Sequence, residues 1–268
     1  MIYLPNLKTE EIASAARITA LKMVAAAKAS HIGSSLSVID ILSVLYSRTH
    51  NVGESESSDF ILISKGHAAA GVYSVLKEFS LVSQSDIDNY CKDGAKLGGH
   101  VTSTNVPSLT FSTGSLGHAL PFAVGIALGK KLKALPGKVY VVLSDGELNE
   151  GSNWEAILAA ANFELGNLAV IIDRNRLQSL RSTEETMKLD SLPSKFSAFN
   201  WEVVEINGHD HDALNKEIEI TRIVPVAIIA NTIKGKGVSF MENSVAWHYK
   251  YPNENELREA IAEIKNER

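Results

Sequence analysis

Two short segments hold residue types that can bind a metal and an anion together: Ser144-Asp145-Gly146-Glu147 and Asp173-Arg174-Asn175-Arg176-Leu177. Each directly follows an aliphatic run that reads as a buried strand, Lys138 to Leu143 and Leu168 to Ile172. In an open α/β sheet, parallel strands end at one carboxyl edge, where ligands bind. Asp145 and Asn175, 30 residues apart, can therefore converge. A carboxylate and an amide oxygen are hard ligands suited to Mg²⁺ or Ca²⁺, whose shells are completed by a backbone carbonyl, waters and phosphate oxygens. Gly146 lets the backbone approach a phosphate closely, and a helix expected after it would turn its N-terminal amides toward the anion. An isolated Asp-Gly is more often only a turn; the strand, turn, helix and strand around this one favour a site.

The second set of candidates is histidine. His31, His67 and His100 stand in Ser30-His31-Ile32-Gly33, Ile63-Ser64-Lys65-Gly66-His67 and Gly98-Gly99-His100, and His248 follows Trp247. Neutral imidazoles bond to hydroxyls and move protons near pH 7. Any single histidine is more often structural or exposed, and His50, His209 and His211 keep that reading. His118 is left open. Lys65 is read as structural or as reaching a phosphate, and Arg174, Arg176 and Arg181 as surface charges in the first place or as answering a different acidic group.

The elements that must position these residues alternate along the chain. Helices are expected at Glu10–Lys28, Leu36–Tyr46 (with Ser34 and Ser35 as candidate caps), His67–Phe79, a short stretch capped by Ser85 and ending near Cys91, Leu116–Leu132, Ser152–Phe163, Ala213–Thr221 and the charged Glu254–Lys265. Strands are expected at Phe60–Ile63, Glu202–Ile206 and Val224–Ala230 as well as before the two candidate turns. Lys92 to Gly114 is small, polar and rich in Gly, a loop long enough to suggest function. The pattern predicts an α/β fold, three layers α/β/α around a mostly parallel central sheet, in one domain over residues 1–268.

Composition excludes some functions. The net charge of −5 gives no electrostatic case for nucleic acid. No apolar run approaches the roughly 20 residues that span a bilayer, and Met1 to Lys8 lacks the layout of a secretory signal. One cysteine, Cys91, rules out an internal disulfide framework. Together these point to the cytoplasm.

The stretch Ser144 to Leu177 resembles the thiamine diphosphate motif, which begins Gly-Asp-Gly and ends in Asn about thirty residues later. The histidine segments above, Thr113-Gly114-Ser115-Leu116-Gly117, Asn207-Gly208-His209-Asp210, and Lys234 to Glu242 followed by Trp247-His248 are similar, in order, to segments of transketolases, and the last is similar to transketolases split over two chains. The resemblance implies thiamine diphosphate and Mg²⁺ (Ca²⁺ or Mn²⁺ also suit oxygen ligands) as cofactors, with Asp145, Asn175 and the Leu177 carbonyl on the metal. It implies Gly146 on the diphosphate, Glu147 in the same cofactor-binding turn, and Gly114 and Leu116 along the aminopyrimidine. His67 and His248 would lie near the diphosphate and substrate, with His31 and His100 lining the substrate channel. Glu150 resembles an acidic residue between paired active sites.

The same resemblance implies that this chain is the N-terminal half of the enzyme. A partner, the C-terminal transketolase subunit with the pyrimidine-binding domain, would complete a heterotetramer that moves a two-carbon ketol unit between sugar phosphates. The sequence departs from the pattern at Ser144, His118, Arg174 and Gln178-Ser179-Leu180-Arg181, which bears on the choice of sugar. Two alternatives stand beside this reading. One is a different thiamine diphosphate enzyme, of the 2-oxoacid dehydrogenase type or a specialised sugar or sulfosugar ketol transferase. The other is a non-catalytic binding protein on the same fold.

Overall fold

Five parallel strands form the centre of the computed structural model, which describes residues 8–49 and 55–266. His50 and most of the Met1–Lys8 stretch lie outside the described residues. Helices α1 (Thr9–Ala27) and α2 (Ile32–Arg48) precede β1 (Phe60–Ile63). Then come α3 (Ala69–Glu78), α4 (Gln84–Asp88), α5 (Ala119–Leu132), β2 (Val139–Ser144), α6 (Gly151–Asn162) and β3 (Leu168–Arg174). The chain continues through α7 (Thr183–Thr186), α8 (Leu192–Ala198), β4 (Glu202–Asn207), α9 (His211–Glu219), β5 (Val226–Asn231) and α10 (Glu254–Asn266). The strand order is β1-β2-β3-β5-β4 and every pairing is parallel.

The layering follows from the two-residue period of the strands. Ile61, Ile63, Tyr140, Val142, Ile171 and Ile228 point into one core with α1, α2, α3, α9 and α10. Leu62, Val141, Leu143, Val170, Ile172 and Ile229 point into the other with α5, α6 and α8. Both faces are thus covered, which is why β2 and β3 are buried along their whole length and mostly aliphatic. The edge strand β4 is partly exposed and carries Glu202 and Glu205, charges that discourage pairing with another sheet.

The expected elements are present with shifted ends. The second helix begins at Ile32, because His31 takes a left-handed backbone (φ 72°) and serves as its N-cap residue; Ser34 and Ser35 are buried inside the helix and do not cap it. Ser83, not Ser85, caps the short helix α4. The helix expected from Leu116 starts at Ala119, after Gly117 turns the chain at φ 83°. The expectation at His67 resolves into a 3-10 turn, Gly66–Ala68, running into α3. The small helices α7 and α8 have no counterpart among the expected elements.

One polar knot pins the first core layer. Asp40 of α2 pairs with Arg17 of α1 and accepts from His209 Nδ1 (2.6 Å) and His211 Nε2 (3.0 Å). The Ile233 amide donates to His209 Nε2 at 2.8 Å, so the proton of that ring sits on Nδ1 and faces the carboxylate. These histidines are structural, as expected. Burial alone would raise the Asp40 carboxyl; Arg17 and the two imidazoles outweigh it and hold the group well below its ordinary range. A carboxylate depressed in this way stabilises the fold above its unfolded pKa of 3.8, and that contribution is lost as pH falls through the folded value. Asp40→Ala should destabilise the chain by ~3 kcal/mol at pH 7, the cost of leaving a buried cation unpaired, as read by urea unfolding. An unchanged midpoint would contradict this account of the knot.

Candidate functional site

The carboxyl ends of the strands carry the candidate residues to one place. The Ser64-Lys65-Gly66-His67 turn leaves β1, Ser144 to Glu147 leave β2, and Asn175 to Ser179 leave β3. His31 opens α2, His248 ends a 3-10 turn over Val245–His248, and His100, Gly114 and Leu116 come from the long loop before α5. All eleven residues singled out from sequence (His31, His67, His100, Gly114, Leu116, Asp145, Gly146, Glu147, Asn175, Leu177 and His248) line one cavity of about 250 Å³.

Backbone pairing explains the convergence of the oxygen ligands. The Asp145 amide donates to the Asp173 carbonyl at 3.3 Å, tying the ends of β2 and β3 together. Asp145 is 1% exposed. Its Oδ2 accepts from the Arg176 amide (2.6 Å) and from Arg174 (3.3 Å), while Oδ1 accepts from the Gly146 amide (2.7 Å). Burial raises the Asp145 carboxyl to about 6 against the opposing pull of Arg174, and Asp173 adds to the rise. The Asn175 side-chain oxygen accepts from the Leu177 amide at 3.1 Å. A buried carboxylate with one less-engaged oxygen, beside an amide oxygen and a backbone carbonyl, is a hard donor set that fits a small divalent cation. Among the described residues no cluster of three or more His, Cys, Asp or Glu side chains could hold a metal, so a cation here would depend on ligand oxygens such as those of a diphosphate. Gly146 adds a cradle: a Cβ there would lie 2.8 Å from the Gln178 side chain.

The histidines of the cavity form a cluster. The His31 ring lies 4.8 Å from His248, 5.4 Å from His67 and 5.8 Å from His100. Burial lowers His31 to about 4, helped by His100 and Lys234. It lowers His248 to about 3, helped by Lys234 and His31, and pushes His67 well below its ordinary value, with Lys65 adding to the effect. These three rings are neutral at pH 7. The His31 amide donates to the His248 carbonyl at 2.7 Å, which fixes the two relative to each other. His31 also holds its left-handed backbone here, a strain that surrounding contacts must sustain.

Lys234, which follows β5, is a site residue that the sequence pattern alone does not single out. It is 1% exposed, and its Nζ reaches the Leu177 carbonyl (3.3 Å), the Gln178 carbonyl (2.9 Å) and His248 Nδ1 (3.0 Å). Burial and neighbouring Lys65 lower it to about 8, still a cation at pH 7. It donates to His248 Nδ1, so the proton of that imidazole is on Nε2. A signal for it exists: the strand-end rule that points to Asp145 and Asn175 applies equally to the turn after the last strand.

Residues 8–264 match the family model of the transketolase, thiamine diphosphate binding domain. The chain belongs to this family. An apulose-4-phosphate transketolase subunit from Actinobacillus succinogenes is 39% identical over 243 residues, covering 88% of each chain. A 6-deoxy-6-sulfo-D-fructose transketolase subunit of a Clostridium species is 34% identical over 88% of this chain and 89% of its own. Transketolase from Leishmania mexicana superposes with a TM-score of 0.89 at 25% identity, over 97% of this chain and 41% of the solved one. This chain therefore corresponds to the N-terminal, thiamine diphosphate-binding part of a transketolase, and spans about two fifths of the solved enzyme.

Other expectations for this transketolase chain need correction or refinement. Gly146 opens a 3-10 turn (Gly146–Asn149), which the sequence pattern does not show, and the helix expected from Ser152 begins at Gly151. Arg174 is not a surface charge: it is buried, and pairs with Asp145, Glu184 and Asp190 because the unforeseen α7 segment folds over it. Arg176 and Arg181 are exposed. Lys65 is buried against Asp173, its ammonium turned to that carboxylate and to the Ser34 carbonyl. Glu147 is fully buried; Ser64, the Gly117 amide (2.8 Å) and the Ser144 amide (3.4 Å) bond its carboxylate, so it ties three loops together at the cavity wall. His118 and Glu150 are exposed. Gly66 is required where it stands, since a Cβ would meet the Thr113 carbonyl oxygen at 2.4 Å.

The depressed histidines give a pH signature. A lowered imidazole binds fewer protons folded than unfolded, so its contribution is present above 6.5 and lost as pH falls toward about 4 for His31. Asp145, raised to about 6, acts in the opposite sense between its folded and unfolded values. Replacing His31 with Asn keeps a residue that tolerates the left-handed backbone and removes the titration. His31→Asn should lose stability less steeply than wild type between pH 6.5 and 4, measured by urea midpoints. Parallel curves would contradict a neutral, desolvated His31.

Proposed function

We propose that this chain is the cofactor-binding subunit of a two-chain transketolase that moves a two-carbon ketol unit from a ketose phosphate to an aldose phosphate. The observation that carries the reading is the single cavity that unites Asp145, Gly146, Asn175 and Leu177 with four histidines at the carboxyl edge of a parallel sheet. Thiamine diphosphate, when bound, supplies the nucleophilic carbon that accepts the ketol unit. Asp145, Asn175 and the Leu177 carbonyl would hold Mg²⁺, with Ca²⁺ or Mn²⁺ as substitutes, against the diphosphate. Gly146 would let the backbone reach that group, with Lys234 and His67 beside it as a cation and a neutral donor.

The chain's own part in the chemistry is to orient hydroxyls. His31 and His248 are neutral at pH 7 and carry their rings into the cavity, so they can orient substrate hydroxyls through hydrogen bonds. The proton that Lys234 leaves on His248 Nε2 makes that nitrogen a donor. His100, whose ring a Cβ on Gly114 would approach at 3.3 Å, would act with them on the substrate, while Gly114 and Leu116 would flank the aminopyrimidine.

The partner is inferred to be a C-terminal transketolase subunit with a pyrimidine-binding domain, assembled as a heterotetramer. The similarity over most of their length to relatives named as transketolase subunits supports this. So do the apolar side chains that α5 and α6 leave exposed, Phe122, Leu132 and Leu158. Glu150, exposed at the start of α6, would face that interface. No helix among the described residues is long and apolar enough to cross a membrane; the single cysteine supports a cytoplasmic setting.

Co-expression with the candidate partner, followed by assay with thiamine diphosphate, Mg²⁺, xylulose 5-phosphate and ribose 5-phosphate, tests the reading. Turnover should require both chains, and Asp145→Ala should weaken calorimetric binding of the Mg²⁺–thiamine diphosphate pair by at least ~100-fold, beyond what loss of a supporting partner costs at a metal site. Turnover by this chain alone, or equal cofactor binding by Asp145→Ala, would refute it.

A further inference from the structure

Tyr249 stands beside two histidines of the cavity with no part in the arrangement above. Its ring lies 4.8 Å from the His248 ring at an interplanar angle of 70° and 6.3 Å from the His31 ring at 54°. Yet the residue is 59% exposed. One side of the ring rests on the site and the rest faces outward. Its hydroxyl has no hydrogen bond among the described residues.

The backbone that carries this ring is firmly held. The Tyr249 and Lys250 amides both donate to the Ala246 carbonyl, at 3.3 and 3.0 Å. The preceding Trp247 is buried and its indole donates to the Phe240 carbonyl at 2.9 Å. The Lys250 ammonium stands 4.3 Å over the Trp247 ring and pairs with Glu256 of α10. An exposed tyrosine on a free loop would sample many positions. This one is anchored at its backbone on both sides and supported by two imidazoles, so its ring is a preformed surface.

The position has a consequence for substrate choice, which rests on the function proposed above. His31 and His248 line the cavity where the two-carbon unit would react. The remaining carbons of a sugar phosphate must extend from these rings toward solvent, and Tyr249 is an exposed ring in contact with both. A tyrosine offers an apolar body to the C–H face of a sugar and a polar tip to its hydroxyls.

We propose that Tyr249 is a specificity-determining residue, the wall along which the carbons of a sugar phosphate beyond the reacting two are laid. The chemical class it selects is a linear, hydroxylated sugar of four or five carbons over a two-carbon aldehyde.

The test uses the assembled two-chain enzyme with thiamine diphosphate, Mg²⁺ and xylulose 5-phosphate as donor. Acceptor KM and kcat are measured for ribose 5-phosphate and for glycolaldehyde in wild type, Tyr249→Phe and Tyr249→Ala. Tyr249→Ala should raise KM for ribose 5-phosphate about 5- to 10-fold, the range of one lost aromatic contact. Its effect on KM for glycolaldehyde should be several times smaller, and kcat should move less than KM. Tyr249→Phe, which keeps the ring and serves as the readout should the alanine variant not fold, should stay nearer wild type but show a smaller shift of the same acceptor preference. Equal effects on both acceptors, or an unchanged preference in both variants, would overturn the inference while leaving the transketolase reading intact. Absence of ketol transfer in wild type would overturn that reading, and the inference with it.

Discussion

The buried pair between Lys65 and Asp173 is the joint on which the site depends. Lys65 leaves β1, and Asp173 lies near the end of β3. The same carboxylate accepts from Ser37 of α2 at 2.6 Å and from Thr232 beyond β5, and the Lys65 ammonium also bonds the Ser34 carbonyl at 3.1 Å. The segments presenting His67, Asn175, Lys234 and, through α2, His31 are therefore locked to one ion pair. Both side chains are almost wholly inaccessible. Such a pair adds little net stability, because desolvation offsets its attraction, but breaking it would strand a buried charge. Its value here is geometric: three strand ends and one helix cannot move independently. It also sets the electrostatics, since Lys65 is among the charges that lower His67, His248 and Lys234.

Charge around the cavity is arranged in a way that suits an anionic cofactor with a metal. Burial keeps the His31, His67 and His248 rings neutral and Lys234 adds to the effect, while its ammonium also reaches the Leu177 carbonyl. Asp145, desolvated and raised to about 6, lines the same cavity, where a divalent cation would relieve it. Arg174 takes up part of that carboxylate's charge and leads into α7 through Glu184 and Asp190. The cavity therefore offers neutral imidazoles that can hydrogen-bond hydroxyls and oxygen atoms suited to a cation.

How much of this is legible in the sequence depends on whether the signal is local. The parallel sheet, the two turns at Asp145 and Asn175, and the long loop bearing His100 and Gly114 follow from aliphatic runs punctuated by Gly, Asp and Asn, and each strand end lies within two residues of its expected place. The start of α2 does not follow in this way, because a left-handed His31 has no local preference behind it; the bond from its amide to the His248 carbonyl reaches over two hundred residues along the chain. Burial of Arg174, Lys65 and Lys234 is equally hidden. In one dimension a Lys or Arg reads as surface, and only the fold supplies Asp173 or Glu184 as partners. The small helices α7 and α8 lack the length over which helical periodicity accumulates, and they rely on caps at Ser182 and Ser191.

The central claim is that the oxygen atoms of Asp145, Asn175 and Leu177 receive a divalent cation that anchors a diphosphate at the end of β2. Anomalous diffraction from crystals of the assembled enzyme grown with Mn²⁺ and thiamine diphosphate tests this most directly. The account predicts a single strong peak in coordinating contact with those three residues and with the diphosphate. A bound cofactor whose metal lies elsewhere, or whose diphosphate is held without Asp145, would contradict it.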